Sequence, residues 1–398
     1  MNRVALITAK VPPARDGIGD YASRLAEGFV ACGKEVLLLT SLNEELPTQI
    51  DGVITESPFK LDRRDGVWGL VAAMESLDIK GQLPDAIILQ FNQFSWGNWG
   101  LNLALPNVML AIKQRWPSVQ LGVMFHEKAV PPTNFKFRVM RLWQTRQYRA
   151  LANVADVRFF SIQRWADEEA LRSPHKPAIH LPVGSNLSRV SDSRDAIRTR
   201  LLISPDDIVL GVFGGTHASR LVGHIAAAVR SASQHNVKTK VLVVGSAGPA
   251  LRTMLTEVSC NVDLIDLGYQ PTKLASEAVA AMDVMLAPFT DGLSTRRGSA
   301  IAALQQGVAL LSTDGSLTDD LLRNHNGRSF VLTPVRSIDA YAMAAVQMVD
   351  DNQRRNQIAK SGAVLYRQCF DWKVITKRII DQLTMLPVVK KPSQDILA

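Results

Sequence analysis

The sequence is poor in the residues that mark specialised classes of protein. It has only three cysteines, Cys32, Cys260 and Cys369, which are widely spaced and form no CxxC pair. An odd and scattered set of cysteines argues against a disulfide framework, and without a Cys/His cluster no zinc site is expected. The cysteine usage therefore fits a reducing cytoplasm, and we expect no metal ion.

Long apolar runs and targeting signals are also missing. No uninterrupted apolar run approaches the roughly 18 residues that a membrane-spanning helix needs. Residues 1–10 lead directly into a strand-like segment and do not have the organisation of a signal peptide. There is no internal repeat of fixed period and no low-complexity segment. These absences predict a cytoplasmic protein whose contact with the inner membrane surface is at most peripheral.

The composition is that of a globular protein, with 46% hydrophobic and 21% charged residues. At 398 residues the chain is long enough for two domains, each with its own core. The formal net charge of +8 indicates an anionic ligand or surface. Charge alone does not distinguish a nucleotide, a nucleic acid and a membrane.

Short apolar runs alternate with helical patterns through both halves of the chain. Continuous apolar runs are typical of strands buried on both faces of a parallel sheet, and the helical connections between them make βαβ units. The pattern predicts an α/β fold of two doubly wound Rossmann-like domains that face each other across a cleft, with ligands at the carboxyl ends of the strands. The runs are RVALITA, EVLLLT, AIILQF, LGVMFH, VRFFSI and AIHLPV, then IVLGVFGG, KVLVVGSAG, VDLIDLG, VMLAPF and VALLST.

A polar, turn-rich segment at residues 183–207 interrupts this alternation and predicts a domain boundary. We place the first domain at residues 1–190 and the second at 191–369. A closing helix over 370–388 and a tail over 389–398 complete the predicted organisation.

The segment LAPFTDGLSTRRGSAIAALQQGVALLST, which begins at Leu286, carries the strongest functional pattern. A strand ends in a proline, and a loop with Asp291, Arg296 and Arg297 leads into a helix that begins near Gly298. The helix start leaves backbone N–H groups unpaired, and two arginines beside it can bind phosphate oxygens. The alternative is a solvated loop whose arginines pair with surface carboxylates.

This pattern resembles the retaining glycosyltransferases of family 4, which have the GT-B architecture. In that family a Glu-Gly turn follows the proline, a second Glu opens the helix, and a glycine before an apolar strand ends it, as Gly307 does here. Asp291 matches the first acid, which contacts the donor sugar. Ser299 replaces the second acid, which holds the nucleotide ribose. The resemblance therefore implies a catalytic Asp291 and a ribose contact that is weaker or made by another group.

The same resemblance implies an acceptor-side first domain, a nucleotide-sugar-binding second domain, and a closing helix that crosses back to the first. It also predicts two groups of donor-binding residues. Those expected at the donor phosphates are Gly17, Gly19, Arg220, Arg296, Arg297, Gly298 and Ser299. Those expected at other parts of the donor are Gly215, Thr216, Tyr269, Gly292, Leu293 and Ser294.

The glycine-containing segment after the first strand, residues 12–29, resembles the family loop that lies near the donor phosphates and the acceptor. Gly17 and Gly19 flank Ile18, and Asp20 is predicted to cap the helix that follows. Two glycines alone are a weak signal. The alternative is a tight turn between a strand and a helix that begins with an aspartate cap.

His126, followed by Glu127, ends a predicted strand and matches by context the histidine that the family places near the donor sugar. The resemblance implies a catalytic contact with the sugar; the alternative is a structural histidine. Val130 stands where a zinc-binding HExxH motif requires its second histidine, which excludes that motif.

Arg220 follows the first strand of the second domain, where the family carries an arginine and then a lysine that neutralise the diphosphate. Arg220 takes the lysine position, and the arginine position near residues 215–217 has no arginine. We expect Arg296 or Arg297 to supply the missing charge. The alternative makes Arg220 and His217 ordinary residues at the start of a helix.

Residues 134–153 form a predicted helix in which five Lys or Arg residues alternate with aromatic residues. Such a helix can lie on an anionic membrane, which makes peripheral contact through this segment a possible interaction. The alternative is a helix whose apolar side packs inward while its arginines are solvated. Nucleic-acid binding is not expected, because no helix-turn-helix, zinc-finger or RNP pattern is present.

Together these patterns predict a glycosyltransferase of polysaccharide or glycoconjugate synthesis. It would move a sugar from a nucleotide-diphosphate sugar, as co-substrate, to a glycan, lipid-linked or small-molecule acceptor, with retention and without cofactor or metal. The alternatives are a GT-B nucleotide-sugar epimerase and a degenerate protein that binds a nucleotide or glycan without catalysis. A dinucleotide oxidoreductase is disfavoured, because Ala22 stands where a GxGxxG motif has its third glycine.

Overall fold

The structure, a computed structural model, describes residues 1–386 except residues 44, 64, 131, 133, 216 and 237. The predicted donor-binding residue Thr216, the last two positions of the predicted closing helix and the predicted tail lie outside the described residues. The chain forms two compact units: Met1–Pro182 together with the chain from Trp372 onward, and Val183–Asp371. The chain thus leaves the first unit at Pro182, somewhat before the division that we place after residue 190 from the sequence.

Strands and helices alternate along both units. The first unit contains β1 (Arg3–Ile7), α1 (Gly17–Ala31), β2 (Glu35–Ser41), β3 (Val53–Phe59), α2 (Gly69–Ile79), β4 (Ala86–Phe91), α3 (Gln93–Trp96), α4 (Ala104–Arg115), β5 (Gln120–Phe125), α5 (Phe135–Val154), β6 (Val157–Phe160), α6 (Gln163–Arg172) and β7 (Ala178–His180), with short 3-10 helices at Gly66–Trp68 and Asn98–Gly100, and α15 (Trp372–Thr384) returns to it.

The second unit repeats the alternation. It contains α7 (Arg194–Arg200), β8 (Ile208–Phe213), α8 (Val222–His235), β9 (Thr239–Val244), α9 (Gly248–Glu257), β10 (Asp263–Asp266), α10 (Thr272–Ala280), β11 (Val284–Ala287), α11 (Gly298–Gln306), β12 (Ala309–Asp314), α12 (Asp320–Arg323), β13 (Val331–Pro334), α13 (Ile338–Asp350) and α14 (Asn352–Leu365), followed by a π-helical turn at Tyr366–Phe370.

Each unit is built on one parallel sheet. The first sheet has the order β3-β2-β1-β4-β5-β6-β7 and the second β10-β9-β8-β11-β12-β13, and all strand pairs within them are parallel. The strand order reverses beside β1 and beside β8, so a crevice opens there at the carboxyl ends of the strands. The prediction of two doubly wound Rossmann-like domains is confirmed.

The central strands are completely buried, as the apolar runs predict. Every residue of β4 and every residue of β11 is buried, because helices cover both faces of each sheet. Two strands were not predicted, β3 and β13, and both lie at a sheet edge. From Val53 to Glu56 the residues of β3 alternate between half-buried and exposed, and Pro58 interrupts the run, so the pattern is that of an edge strand.

Helix α15 packs against α1 inside the first unit. A Cβ placed on Gly28 of α1 would lie 2.3 Å from Thr376 Oγ1, so a larger residue would separate the two helices. The rings of Tyr21 and Trp372 meet edge to face with centroids 4.9 Å apart. No helix in the described part of the chain has the length and apolar character needed to cross a bilayer.

Candidate functional site

The loop between β11 and α11 is fixed by its own backbone and by buried polar contacts. Gly292 has a φ of +85°, and a Cβ there would lie 2.2 Å from Thr318 Oγ1 and 2.3 Å from the backbone nitrogen of Gly315. Only glycine fits that position. Farther along, the backbone N–H and the hydroxyl of Thr295 both donate to Asp319 Oδ2, at 2.6 and 2.9 Å. These contacts therefore fix the backbone of the loop that carries the charged residues.

Those charged residues bind one another. Arg296 Nη2 donates to Asp291 Oδ2 at 2.7 Å, and Arg297 Nη2 donates to Asp291 Oδ1 at 2.5 Å. Burial alone would raise the pKa of Asp291, but the charges of Arg297 and Arg296 outweigh it and hold that pKa below its ordinary value. In this structure the anion beside the two arginines is the carboxylate of Asp291 itself.

A second loop, between β8 and α8, runs beside the first. Arg220 and Phe289 form an isolated antiparallel bridge, and the backbone N–H of Thr290 donates to the carbonyl of Ser219 at 2.8 Å. Arg297 Nη1 also donates to Ser219 Oγ at 3.0 Å. Ser219 was not predicted from the sequence, because a serine in a loop carries no signal of such a contact.

Arg220 is the most unusual side chain of this region. It is 8% exposed, and its Nη2 donates to the carbonyl of Phe213 at 2.8 Å. Its Nε and Nη1 are buried and have no hydrogen-bond partner among the described residues, and none of them forms an ion pair with it. Burial, with a smaller contribution from the charge of Arg297, lowers the pKa of Arg220 to about 10, so the guanidinium is still charged at neutral pH. A buried cation without a counterion favours an anionic ligand.

The start of α11 lies close to this guanidinium. A Cβ placed on Gly214 would lie 3.2 Å from Arg220 Nη2 and 3.6 Å from Ser299 Cβ, so the three residues surround one small space. Within the described part of the chain no side chain caps α11, whose N-cap residue is Arg297. The partial positive charge at the start of a helix therefore adds to the charge of Arg220.

Glycines allow the neighbouring loops to approach this space. Gly214, Gly245 and Gly268 all have positive φ values, and a Cβ on Gly245 would lie 2.5 Å from the carbonyl oxygen of Gly214. A Cβ on Gly215 would lie 3.3 Å from Ser246 Oγ, and Tyr269 is 63% exposed at the end of the β10 loop. These loops follow the carboxyl ends of β8, β9 and β10, which are neighbours in the second sheet, so the loops lie side by side.

Three of the residues predicted at other parts of the donor are buried in this structure, and Gly292 is one of them. Leu293 and Ser294 are both fully buried, and Leu293 packs in the core of the second unit. Gly298 has more space, since the nearest atom to a Cβ placed there is the carbonyl oxygen of Gly184 at 3.6 Å. The loop thus buries Gly292 to Thr295 and leaves Arg296, Arg297, Gly298 and Ser299 partly exposed.

In the first unit, the glycine-containing segment is not a loop but the start of α1. Asp16 caps that helix, accepting from the backbone N–H of Ile18 at 2.8 Å and of Gly19 at 3.4 Å, so the prediction that Asp20 caps it is wrong. A Cβ on Gly19 would lie 2.5 Å from the carbonyl oxygen of Lys10, whereas Gly17 has open space. The close approach of the Lys10 backbone explains why residue 19 is a glycine. The carboxylate of Asp16 already occupies the start of this helix.

His126 follows β5 and lies against polar and aromatic neighbours. Its Nε2 is 2.9 Å from Gln90 Oε1, and its ring meets the ring of Tyr21 edge to face at 4.8 Å. Burial lowers the pKa of His126 to about 3, so the imidazole is neutral at physiological pH. Gln90, in β4, was not identified from the sequence, although a glutamine inside a fully apolar strand is a signal that could have revealed it.

Comparison with known proteins identifies relatives by structure only. No protein-family model matches the chain, and no curated protein sequence matches it. Sucrose-phosphate synthase from Thermosynechococcus elongatus superposes with a TM-score of 0.72 at 17% identity, covering 96% of this chain and 98% of the other.

Two further solved structures are similar. Anabaena HepE in complex with UDP and glucose has a TM-score of 0.69 at 15% identity, and the match covers 97% of this chain and the whole HepE chain. WaaG, a glycosyltransferase involved in lipopolysaccharide biosynthesis, has a TM-score of 0.64 at 15% identity, covering 96% of this chain and all of its own. Identities this low show the fold alone. The chain has the GT-B fold of two Rossmann-like domains.

Proposed function

We propose that the protein is a cytoplasmic glycosyltransferase that takes a sugar from a nucleotide-diphosphate sugar. The acceptor is a glycan, a lipid-linked molecule or a small molecule, and the product belongs to a polysaccharide or glycoconjugate. The reaction retains the anomeric configuration and uses no metal ion. Peripheral contact with a membrane through residues 134–153 is part of the proposal.

The buried guanidinium of Arg220 is the observation that carries this proposal. Its Nε and Nη1 lack partners among the described residues, and the loops beside it contain glycines, which add no side chain at this place. An arginine binds two oxygens of a phosphate group side by side, and the uncapped start of α11 adds N–H donors from a second direction. A diphosphate on a GT-B scaffold matches this arrangement.

The same groups account for the departure of the diphosphate. As the bond between the sugar and the diphosphate breaks, positive charge develops on the sugar ring and negative charge on the leaving phosphate oxygens. Arg220 and the start of α11 are fixed before the reaction and stabilise that negative charge. Ser299, the second residue of α11, stands where these contacts would be made.

Asp291 is proposed to orient the hydroxyl groups of the donor sugar. Each of its carboxylate oxygens accepts one bond from an arginine, and an ionised carboxylate offers about four acceptor positions. It can therefore accept from a sugar hydroxyl while Arg296 and Arg297 hold it in place. Its lowered pKa keeps it ionised for this role.

His126 is proposed to contact the sugar as a neutral hydrogen-bonding group. With a pKa of about 3 it carries no proton to donate as an imidazolium near neutral pH. Gln90 and Tyr21 fix its ring plane. The role of His126 is thus positional, and the pH dependence of turnover is not expected to show its titration.

The proposal is tested first by thermal shift with UDP, GDP, ADP and TDP and their common sugar conjugates. A ligand that binds only the folded state raises the melting temperature. We expect one base to be preferred, and we expect its sugar conjugate to add a further shift. Proton NMR of the product formed with an acceptor then reports whether the anomeric configuration is retained.

The Asp291→Asn variant separates phosphate binding from sugar binding. We expect it to keep the shift with the nucleoside diphosphate and to lose both the further shift with the sugar conjugate and the turnover. Asp320→Asn, at an 84% exposed side chain of the same unit, is the matched control and should behave as wild type. No shift with any nucleotide, or an Asp291→Asn variant with full turnover, would refute the proposal.

A further inference from the structure

The exposed face of α5 combines apolar and basic side chains. At 3.6 residues per turn, Phe135, Val139 and Leu142 fall on the same third of the helix surface as Arg138, Arg146 and Arg149. Phe135 is 82% exposed and Leu142 73% exposed. The opposite side of α5 is buried, so this exposure follows from the way the helix is seated in the first unit.

The basic residues of this face have no acidic partners. α5 carries five Lys or Arg residues and no Asp or Glu. Among the described residues, none of these five forms an ion pair, whereas arginines of the neighbouring α6 pair with Glu168 and Glu169. Arg138, Arg141, Arg146 and Arg149, with Leu142 and Thr145, line an open depression of about 420 Å³. The face is an uncompensated positive surface.

The uncharged segment 92–103, which contains the single turn of α3 and a short 3-10 helix and which we name loop 92–103, extends this surface. Its Phe94, Trp99, Leu101 and Leu103 are between 46% and 62% exposed. Trp99 has a φ of +56°, which is rare for a tryptophan and unfavourable.

Helix α5 holds this loop in place. Trp143 Nε1 and Gln144 Nε2 both donate to the carbonyl oxygen of Trp99, at 3.1 and 3.2 Å, and Gln147 Nε2 donates to the carbonyl of Gly100 at 2.8 Å. Lys136 lies over the Trp99 ring at 4.9 Å. The helix thus fixes an exposed tryptophan beside its own basic face.

We propose that the exposed face of α5 and loop 92–103 form one docking surface for an anionic lipid bilayer. Aromatic rings that are apolar at one end and polar at the other are suited to the boundary between lipid head groups and acyl chains. Phe135, Leu142 and Trp99 enter that boundary, and the arginines around the depression bind lipid phosphates. A soluble polyanion would use the arginines and leave the apolar residues in water. The inference rests on the membrane contact in the proposed function and specifies its residues, its geometry and the charge of the lipid.

The test is flotation of the full chain with vesicles of phosphatidylcholine alone and with vesicles containing 30% phosphatidylglycerol. We expect binding to the anionic vesicles only. The triple variant Arg138→Gln, Arg146→Gln, Arg149→Gln should bind them about 100-fold more weakly, because each basic residue near such a surface contributes roughly a factor of five. The control removes three exposed basic residues elsewhere: Arg354→Gln, Lys377→Gln and Arg378→Gln.

A second triple variant, Trp99→Ser, Phe135→Ser, Leu142→Ser, tests insertion. We expect this variant to bind the anionic vesicles more weakly than the wild-type protein does, and we expect added salt to abolish the binding that remains. Absence of wild-type binding to anionic vesicles, or an equal loss in the control, would overturn the proposal. Wild-type affinity in the serine variant, with complete displacement by heparin, would instead assign the face to a soluble polyanion. The nucleotide-induced thermal shift is measured in every variant, so loss of the membrane surface is distinguished from loss of the donor site.

Discussion

Replacing Arg220 with methionine should stabilise the unliganded protein and abolish nucleotide binding. In the folded chain the guanidinium is buried with no counterion among the described residues, and its pKa falls from 12.5 to about 10. At about 1.4 kcal/mol per pKa unit, the charged form is destabilised by about 3 kcal/mol. The bond to the Phe213 carbonyl and the contact with the Phe289 ring offset about 2 kcal/mol of this. Methionine should therefore raise the free energy of unfolding by about 1 kcal/mol.

The binding of a nucleoside diphosphate should change in the opposite direction. Arg220 has two donors for the phosphates, and the loss of two charge-assisted hydrogen bonds should weaken binding by about 100-fold or more. Titration calorimetry with the nucleotide preferred by the wild-type protein measures this loss. A residue that contributes only to the fold would not combine a gain in stability with a loss of affinity.

The assay for stability is urea unfolding followed by two signals. All seven tryptophans lie in the first unit, so tryptophan fluorescence reports that unit alone, while far-UV circular dichroism reports both units. A change in the circular-dichroism transition without a change in the fluorescence transition therefore belongs to the second unit. The control is Arg198→Met, in the same unit, where the equally buried guanidinium binds Asp283 and the carbonyls of Ala281 and Asp207. We expect that variant to lose about 3 kcal/mol or more. Similar losses in both variants, or unchanged nucleotide affinity in Arg220→Met, would refute the reasoning.

Two further outcomes concern pH and backbone space. Because the pKa of His126 is about 3 in the folded chain and its ordinary value is 6.5, the unfolded chain binds the proton first as pH falls below 6.5. The free energy of unfolding should therefore fall by about 2 kcal/mol between pH 7.5 and pH 5, as measured by fluorescence-detected urea unfolding. The variant His126→Gln should lack this decrease, whereas the control His235→Gln should keep it. Gly292→Ala should cost several kcal/mol because its Cβ would overlap Thr318, whereas Gly327→Ala, with a similar φ of +77° and open space, should cost only about 1 kcal/mol. Equal losses of stability in the two glycine variants would show that the backbone conformation, and not the space available to a Cβ atom, determines the cost.

The central strands could be predicted because burial on both faces leaves a simple apolar run. The strands β3 and β13 could not, because Thr55, Glu56 and Pro58 interrupt β3, and β13 has only four residues and ends at Pro334. Their hydrophobic pattern is then indistinguishable from that of a loop. The same limit affected Phe135 and Leu142, which fit core packing by type but are exposed.

The composition of the candidate site was predictable, but its pairing was not. A strand, a proline and a helix start place Asp291, Arg296 and Arg297 in one loop, and the resemblance added Arg220. Which cation meets which anion depends on contacts between loops far apart in sequence, such as the one between Ser219 and Arg297. The sequence therefore indicated which charges are present, but it did not indicate that Arg220 would have no counterion among the described residues.

The return of α15 to α1 has a consequence for the order in which the protein folds during its synthesis. The first unit begins with Met1 but includes Trp372 onward, so the ribosome completes all of the second unit before it makes the helix that covers α1. Until α15 has been made, Tyr21 and the face of α1 around Gly28 have no helix packed against them. Domains generally fold as they emerge. Here the second unit can reach its native state while the first, begun earlier, waits for the helix that finishes it.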